Sequence, residues 1–403
     1  MQRRSLLAAA SALAASSALG QTLANPTVAA EATKRTRVAV IGHTGRGNYG
    51  HGLDTVWLKV PETEIVAVAD ADATGLAAAQ KRLGTSAGFG DYRAMLESVR
   101  PEVVAVCPRY VDEHADMILA AVAAGAKGIY VEKPLCRTPE EADKIIAACD
   151  KSGTKLAVAH RNRYHPTLAA IDRVIADGGI GWVLEIRGRG KSDKRGGGED
   201  LWVLGSHVLN MTAYFGGVPT RCSAVMKQDR VLVTKEHVKE GNEGVGLLAA
   251  DEIHARFEMP RVPVAYFDSL AEDGAKGEGF GLQIVGSAGV IDIKCDRHPL
   301  AHLIAGNPFQ VVKSASPRTW VPITSAGVGQ PEPIVDLVEQ VTNHVGPVRD
   351  LLASMKEDRQ PLCNVREGAL TVELIMAVFA SHVAGGAAVT LPLADRGNPL
   401  RNL

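Results

Sequence analysis

Glu132-Lys133-Pro134 follows directly on the apolar run Gly128-Ile129-Tyr130-Val131. In open parallel α/β sheets ligands settle in the crevice beyond the carboxyl ends of the strands, so a charged triplet there points at chemistry. Lys133 faces a cofactor or substrate on this reading. Further along, His207 stands in Val203-Leu204-Gly205-Ser206-His207-Val208-Leu209-Asn210. A histidine or a desolvated lysine can be tuned towards neutral pH for proton transfer. Lys133 and His207 are the candidate pair, with no metal called for by any cluster of ligand-type residues.

Such a pair needs a cofactor beside it. The run Arg37-Val38-Ala39-Val40-Ile41 stops on Gly42 and continues as His43-Thr44-Gly45-Arg46-Gly47-Asn48-Tyr49-Gly50. This reads as a strand, a tight turn and the start of a helix, whose N-terminus and turn amides would meet a pyrophosphate. Thr44 stands where the dinucleotide fingerprint has its second glycine, while Gly45 and Gly47 keep the turn open. The next strand, Glu64 to Asp70, ends in an acid 28 residues after Gly42. Asp70 can accept hydrogen bonds from ribose hydroxyls and would repel a 2′-phosphate, and Ala71 rather than an arginine follows it. NAD is therefore favoured over NADP.

The elements that carry these residues alternate. Helices are predicted near Leu76 to Leu83 and Tyr92 to Val99, an amphipathic stretch from Glu113 to Ala124, and a helix from Pro139 to Ser152. Strands are predicted at Val103 to Cys107, before Lys133, and at Lys155 to Ala159. Such turn-taking implies a doubly wound parallel sheet over residues 35–159. Beyond it, β-branched runs at Arg221 to Met226, Gly246 to Phe257 and Gly281 to Ile293 fit a second sheet. Ile334 to Met355 and Gly368 to Ala384 read as helices.

Arg3-Arg4 precede a mild apolar stretch from Leu6 to Leu19 and small-residue sites ending at Ala24 or Ala30. Residues 1–30 read as a twin-arginine export signal, which places the mature protein in the periplasm or otherwise outside the cytoplasm. The stretch is too short and weak for a spanning helix, which needs about 20 apolar residues. Setting aside Arg3 and Arg4 from 44 basic side chains leaves 42 against 45 acidic ones. Nothing in that balance suggests nucleic acid. A body of this length favours two domains. The six cysteines form no CxxC pair and read as buried thiols.

The succession VAVIGHTGRG, VAVADAD, VAVCPRYVDEHADM, GIYVEKPL, HRNRYHP, GGGEDLWVLGSHVLN and a final VTLPL resembles the glucose-fructose oxidoreductase / inositol dehydrogenase / MocA family over nearly the whole mature chain. The resemblance implies a Rossmann domain followed, over residues 160–403, by an α/β domain on a large, open, mostly antiparallel sheet. It implies oxidation or reduction of a sugar, a cyclitol or a related compound with NAD or NADP, and an oligomer, a dimer or tetramer, formed through the open sheet. Lys133 would touch both nicotinamide ribose and substrate, with Glu132 beside it. His207 would be the catalytic histidine, and Pro108 and His114 would flank the nicotinamide.

One departure stands out. The family's active-site run is D-x-G-x-H-x-x-D, whereas Val203 and Asn210 occupy the two acid positions here. Asp200, seven residues before His207, could replace the lost carboxylate, or it could cap a helix after Gly196-Gly197-Gly198. Arg163 and Tyr164, just past the last Rossmann strand, are candidates to hold substrate, and Arg161 reads as a solvated basic turn. Lys191, in a glycine-hinged loop, would suit an acidic sugar or a sulfate. Two catalytic classes fit: a sugar or cyclitol oxidoreductase with tightly bound cofactor, and a redox-neutral glycosidase or epimerase that oxidises a sugar carbon transiently. A non-catalytic sensor is a third.

Overall fold

The computed structural model describes residues 34–274, 280–311 and 317–403, so the expected export signal at 1–30 lies outside the described residues. Strands β1 (Thr36–Ile41), β2 (Thr63–Ala69), β3 (Gly88–Phe89), β4 (Val103–Val106), β5 (Gly128–Val131) and β6 (Lys155–Val158) pair in parallel in the order β3-β2-β1-β4-β5-β6. This is the doubly wound order of a Rossmann domain, with its switch point between β1 and β4. The short strands are apolar throughout because both faces of the sheet are covered.

The helices between them start where the sequence offers caps. Asp72 caps α1 (Ala73–Leu83), Asp91 caps α2 (Tyr92–Val99), and Thr138 with Pro139 opens α4 (Pro139–Ser152), which ends on Gly153 in the left-handed region. Between α2 and α4 runs α3 (His114–Ala123). The first crossover departs from expectation. No α-helix follows β1; residues 43–55 run through turns to a single 3₁₀ turn, Val56–Lys59. Gly45, Gly47, Gly50 and Gly52 all take positive φ, which no helix accommodates. The expected helix N-terminus for a pyrophosphate is thus absent, and the loop backbone stands in its place.

The second domain opens with α5 (Thr167–Ala176), β7 (Val183–Arg189), α6 (Gly198–Val203) and α7 (Gly205–Gly216). There follow β8 (Arg221–Gln228), β9 (Val231–Leu232), β10 (Lys239–Glu240), β11 (Leu247–Leu248), β12 (Glu252–Glu258) and β13 (Ala265–Leu270). The last strands before the helical end are β14 (Gly281–Gly286), β15 (Gly289–Lys294), β16 (Ala301–Ala305), β17 (Val321–Thr324) and β18 (Gly327–Val328). They are followed by α8 (Leu337–Val341), α9 (Val345–Glu357), α10 (Val365–Val383) and β19 (Val389–Thr390). The large sheet has the order β18-β17-β16-β15-β14-β7-β13-β12-β8-β19, with β9 on β8, and is antiparallel apart from β7 beside β13. The predicted helix from Ile334 to Met355 is two helices, broken where His344 takes φ 65°.

The C-terminal helices return to the first sheet. Val345, Val348 and Leu351 of α9 join Leu53, Val56 and Trp57 of the first crossover against Val38, Val40 and Tyr130. On the other side α10 belongs to the core that runs from the Rossmann domain into the large sheet. All six cysteines are buried with unpaired thiols. Among the described residues no helix is long and apolar enough to cross a membrane, and no group of His, Cys, Asp and Glu is arranged to hold a metal ion.

Candidate active site

β5 delivers Lys133 to a polar pocket between the domains, and α7 delivers His207 to the same pocket. Lys133 Nζ donates to the carbonyl of Val203 at 2.8 Å. The position where the family has an acid therefore contributes its backbone oxygen. Burial pulls the Lys133 ammonium below its ordinary pKa, against the charges of Glu132, Glu243 and Asp296. His207 is wholly buried in its environment, and burial together with the Lys133 charge pushes it down to about 3. Its Nδ1 lies 3.5 Å from Nδ1 of His160, the rings meeting edge to face. His207 is accordingly a neutral imidazole at ordinary pH.

Four lining residues went unrecognised in the sequence reading. Arg161, read as solvated, faces the pocket and is clamped by Asp296: Nε lies 2.8 Å from Oδ1 and Nη2 2.8 Å from Oδ2. Burial would raise the Asp296 carboxyl, but the hydrogen bond and charge of Arg161 hold it well below the carboxylate range. His344 enters from the start of α9 and hydrogen-bonds Tyr130 through Nδ1 at 2.6 Å. His51 reaches in from the glycine-rich crossover and bonds the Glu132 carboxylate through Nδ1. Burial works against ionised Glu132, yet the bond and charge of His51, with Lys133, lower it to about 2. No spacing rule links these residues to Lys133, since their partners lie far apart in the chain.

The structure does not bring the other predicted substrate residues to this pocket. Asp200 is wholly buried and accepts from the amides of Lys191 (3.1 Å) and Ser192 (3.0 Å) and from the Ser269 hydroxyl (2.6 Å). It ties down the 190–197 loop and neither meets His207 nor caps α6, whose cap position is Gly197. Arg163 stacks over Tyr214 at 4.1 Å and faces Glu367 of α10, while the Tyr164 hydroxyl accepts from the Cys363 amide at 3.2 Å. Lys191 Nζ lies 3.7 Å from Asp193. Asn210 donates to Thr371 of α10 at 3.3 Å, so the second lost acid position faces the core.

A second cleft lies beyond the ends of β1 and β2, lined by Gly42, Asp70, Asp91 and Glu113 among others. The Asp70 carboxylate is already engaged by the Thr44 amide and hydroxyl, the Tyr49 hydroxyl and the Asp72 amide, and is 1% exposed. It holds the turn at Thr44, and four donors fill the usual acceptor capacity of a carboxylate. A ribose would have to displace one of them or use Asp91, whose single bond caps α2. Arg46 is pinned by Asp112 at 2.6 Å and lies over Tyr110. His114 has both ring nitrogens against carbonyls, of Pro108 (2.7 Å) and Pro134 (2.8 Å), and braces the ends of β4 and β5 from within. Gly45, at φ 84°, leaves open space where a side chain would stand. Gly47 has Arg109 and Tyr110 packed there. The open turn, the acidic cleft and Lys133 at the β5 end fit an extended dinucleotide without a 2′-phosphate.

Comparison with known proteins agrees with that fit. Residues 36–160 match the model of the Gfo/Idh/MocA oxidoreductase family, an NAD-binding Rossmann fold. The chain is 28% identical over 215 residues to D-apiose dehydrogenase of Paraburkholderia graminis, which covers 51% of this chain and 56% of that one. It is 29% identical over 284 residues to a putative UDP-kanosamine synthase oxidoreductase subunit of Amycolatopsis mediterranei, covering 64% and 75%. To D-glucoside 3-dehydrogenase of Escherichia coli it is 28% identical over 198 residues, covering 45% and 54%. The chain thus spans about half the length of the first and third of these curated relatives. Levoglucosan dehydrogenase in its apo form superposes with a TM-score of 0.71 at 20% identity, over 90% of this chain and 100% of that one. Its complex with NADH and L-sorbose gives 0.70, also at 20% identity, over 89% and 99%. These structural likenesses are of fold.

Proposed function

We propose, from a first domain that is an NAD-binding Rossmann domain of the Gfo/Idh/MocA oxidoreductase family, that the whole chain is an NAD-dependent dehydrogenase of a sugar or cyclitol carbinol. One observation carries the reading: Lys133 at the end of β5 and His207 of α7 line a single polar pocket between the domains. Polyol hydroxyls both donate and accept, and the pocket offers both kinds of partner, with Lys133 and Arg161 against Glu132, Asp296 and neutral His207. The bound nicotinamide would supply the hydride acceptor, Lys133 would hold the substrate oxygen, and the surrounding side chains would exclude water. The dehydrogenase names of the relatives support the same substrate class.

The proposal extends to export and assembly. Arg3-Arg4 and the stretch behind them support passage by the twin-arginine route, after folding and with cofactor in place. The open face of the large sheet supports a homo-oligomer. Free NAD is scarce outside the cytoplasm, so the cofactor stays bound and a second substrate recycles it.

The test starts from protein purified without added cofactor. Its absorbance and fluorescence in the reduced-nicotinamide band are followed while sugars and cyclitols are added with no external NAD. Stoichiometric nucleotide that becomes reduced and stays so establishes a dehydrogenase. Reduction that reverses during conversion of a single added sugar, before any second compound is supplied, marks the redox-neutral course. Lys133→Met should keep the nucleotide and lose at least about 100-fold in turnover. Absence of bound nucleotide together with no response to added NAD would overturn the reading.

A further inference from the structure

Of the three histidines that line the pocket, His344 is bonded to Tyr130, while His51 and His207 have opposite surroundings, and their difference bears on which one moves the proton. Among the described residues no carboxylate is hydrogen-bonded to His207. Its Nδ1 faces another imidazole, His160, whose Nε2 is itself buried without a partner. Lys133 and Arg161 line the same pocket, and its two carboxylates are already bonded, Asp296 to Arg161 and Glu132 to His51, so protonating His207 would add a positive charge that no carboxylate bonds directly. Val203 and Asn210 stand at the two positions where an acid could have offset it, and Asp200 is spent on the 190–197 loop.

His51 has what His207 lacks. Its Nδ1 is bonded to Glu132, a carboxylate only 1% exposed, whose other oxygen accepts from the Lys133 amide at 3.2 Å. Among the described residues Nε2 of His51 has no hydrogen-bond partner, and the side chain lines the pocket while remaining 47% exposed. The loop is shaped for this placement. Gly50 has φ 62°, and a Cβ there would stand 2.7 Å from the Cys107 carbonyl and 3.5 Å from the Glu132 side chain. The crossover that fails to form a helix is therefore the element that carries an imidazole onto the end of β5.

We propose that His51, oriented by Glu132, is the general base of this site, and that His207 serves as a neutral hydrogen-bonding group. The arrangement is the carboxylate–imidazole pair of hydrolase triads, in which the acid fixes the tautomer and stabilises the imidazolium. This assignment rests on the dehydrogenase reading. The carbinol carbon gives its hydrogen with two electrons to the oxidised nicotinamide, the hydroxyl gives its proton to Nε2, and the carbonyl forms between them. The half-exposed ring then releases the proton to water, leaving Glu132 ionised throughout.

Two measurements on the full chain test it. Proteins labelled with ¹⁵N-histidine, with the His51 signal assigned by its loss in His51→Asn, should show the Nδ1–H tautomer in the wild type and a loss of that tautomer preference in Glu132→Gln. The other titratable groups lining the pocket are Glu132, Lys133, Arg161, His207, Asp296 and His344, and only the first is changed. Single-turnover reduction of bound NAD by the best polyol should slow by about 100-fold or more in His51→Asn, with nucleotide affinity kept and the acid limb of the rate profile removed. His207→Asn should weaken polyol binding and retain that limb. A His51 tautomer indifferent to Glu132→Gln, or His51→Asn within threefold of wild type, overturns the assignment alone. Wild-type protein that binds nucleotide and oxidises no polyol overturns the dehydrogenase reading and the assignment with it.

Discussion

At the scale of single residues, the position of a carboxylate matters more than its presence. Asp200 lies in the neighbourhood of the lost family acids along the chain, yet three hydrogen bonds turn it towards the 190–197 loop and Ser269. Burial raises its pKa against those bonds, so its acceptor capacity is used for folding. Replacing it by asparagine puts an NH₂ group among donors. Asp200→Asn should cost about 1 to 3 kcal/mol, read by denaturant unfolding, with kcat lowered less than by His51→Asn. A full loss of turnover with unchanged stability would return Asp200 to the chemistry. The same residue shows where sequence reading stops. A spacing of seven on one helical face suggested that Asp200 and His207 share a side, but α6 ends at Val203 and α7 begins anew at Gly205.

At the scale of elements, the periodic parts of the chain were legible and the aperiodic parts carried the novelty. The strands ending at Asp70, Cys107 and Lys133 could be read because a doubly covered parallel sheet demands short apolar runs. The crossover from Gly42 to Val60 could not, since a glycine-rich turn before a helix and one that replaces the helix share the same letters. The Arg161–Asp296 clamp spans 135 positions and the His51–Glu132 bond spans 81, beyond any local rule. The return of α9 to the Rossmann sheet is of this kind too. Leu351 is fully buried there against the first sheet's own residues. Leu351→Ala should cost about 2 to 5 kcal/mol in cooperative unfolding. A fragment of residues 35–159 leaves that sheet face bare, and should give neither a cooperative melt nor protease resistance; a stable fragment would show that α9 is dispensable.

At the scale of the whole molecule, a polar pocket walled by two domains forces histidines into the interior as neutral rings. Burial pushes His207 down to about 3 and His344 to about 4, and burial with the neighbouring His298 takes His165 to about 4, from an ordinary value of 6.5. His160 is displaced in the same direction. The folded-state values are depressed, so it is the unfolded chain that takes up protons first as the solution acidifies. Stability is fully present above pH 6.5 and is lost as the pH falls towards 4. With three such groups the slope reaches about 4 kcal/mol per pH unit, and the fall from pH 6.5 to 5 removes about 5 kcal/mol. That is comparable to the roughly 5 to 15 kcal/mol that holds a typical domain together. Glu132, held at about 2, adds its own loss only below the ordinary carboxylate range near 4.5. The chain should therefore unfold cooperatively between about pH 5.5 and 4, far above the range where carboxylates alone would release it. Circular dichroism along a pH series, with denaturant melts at each point, reads both midpoint and slope. His344→Asn should reduce the slope between pH 6 and 5 by the share of one such group, about 1 kcal/mol per pH unit. A stability curve that stays flat from pH 6.5 to 4.5 would mean that these rings are charged in the folded protein, and the neutral pocket from which His207 was assigned its role would not exist.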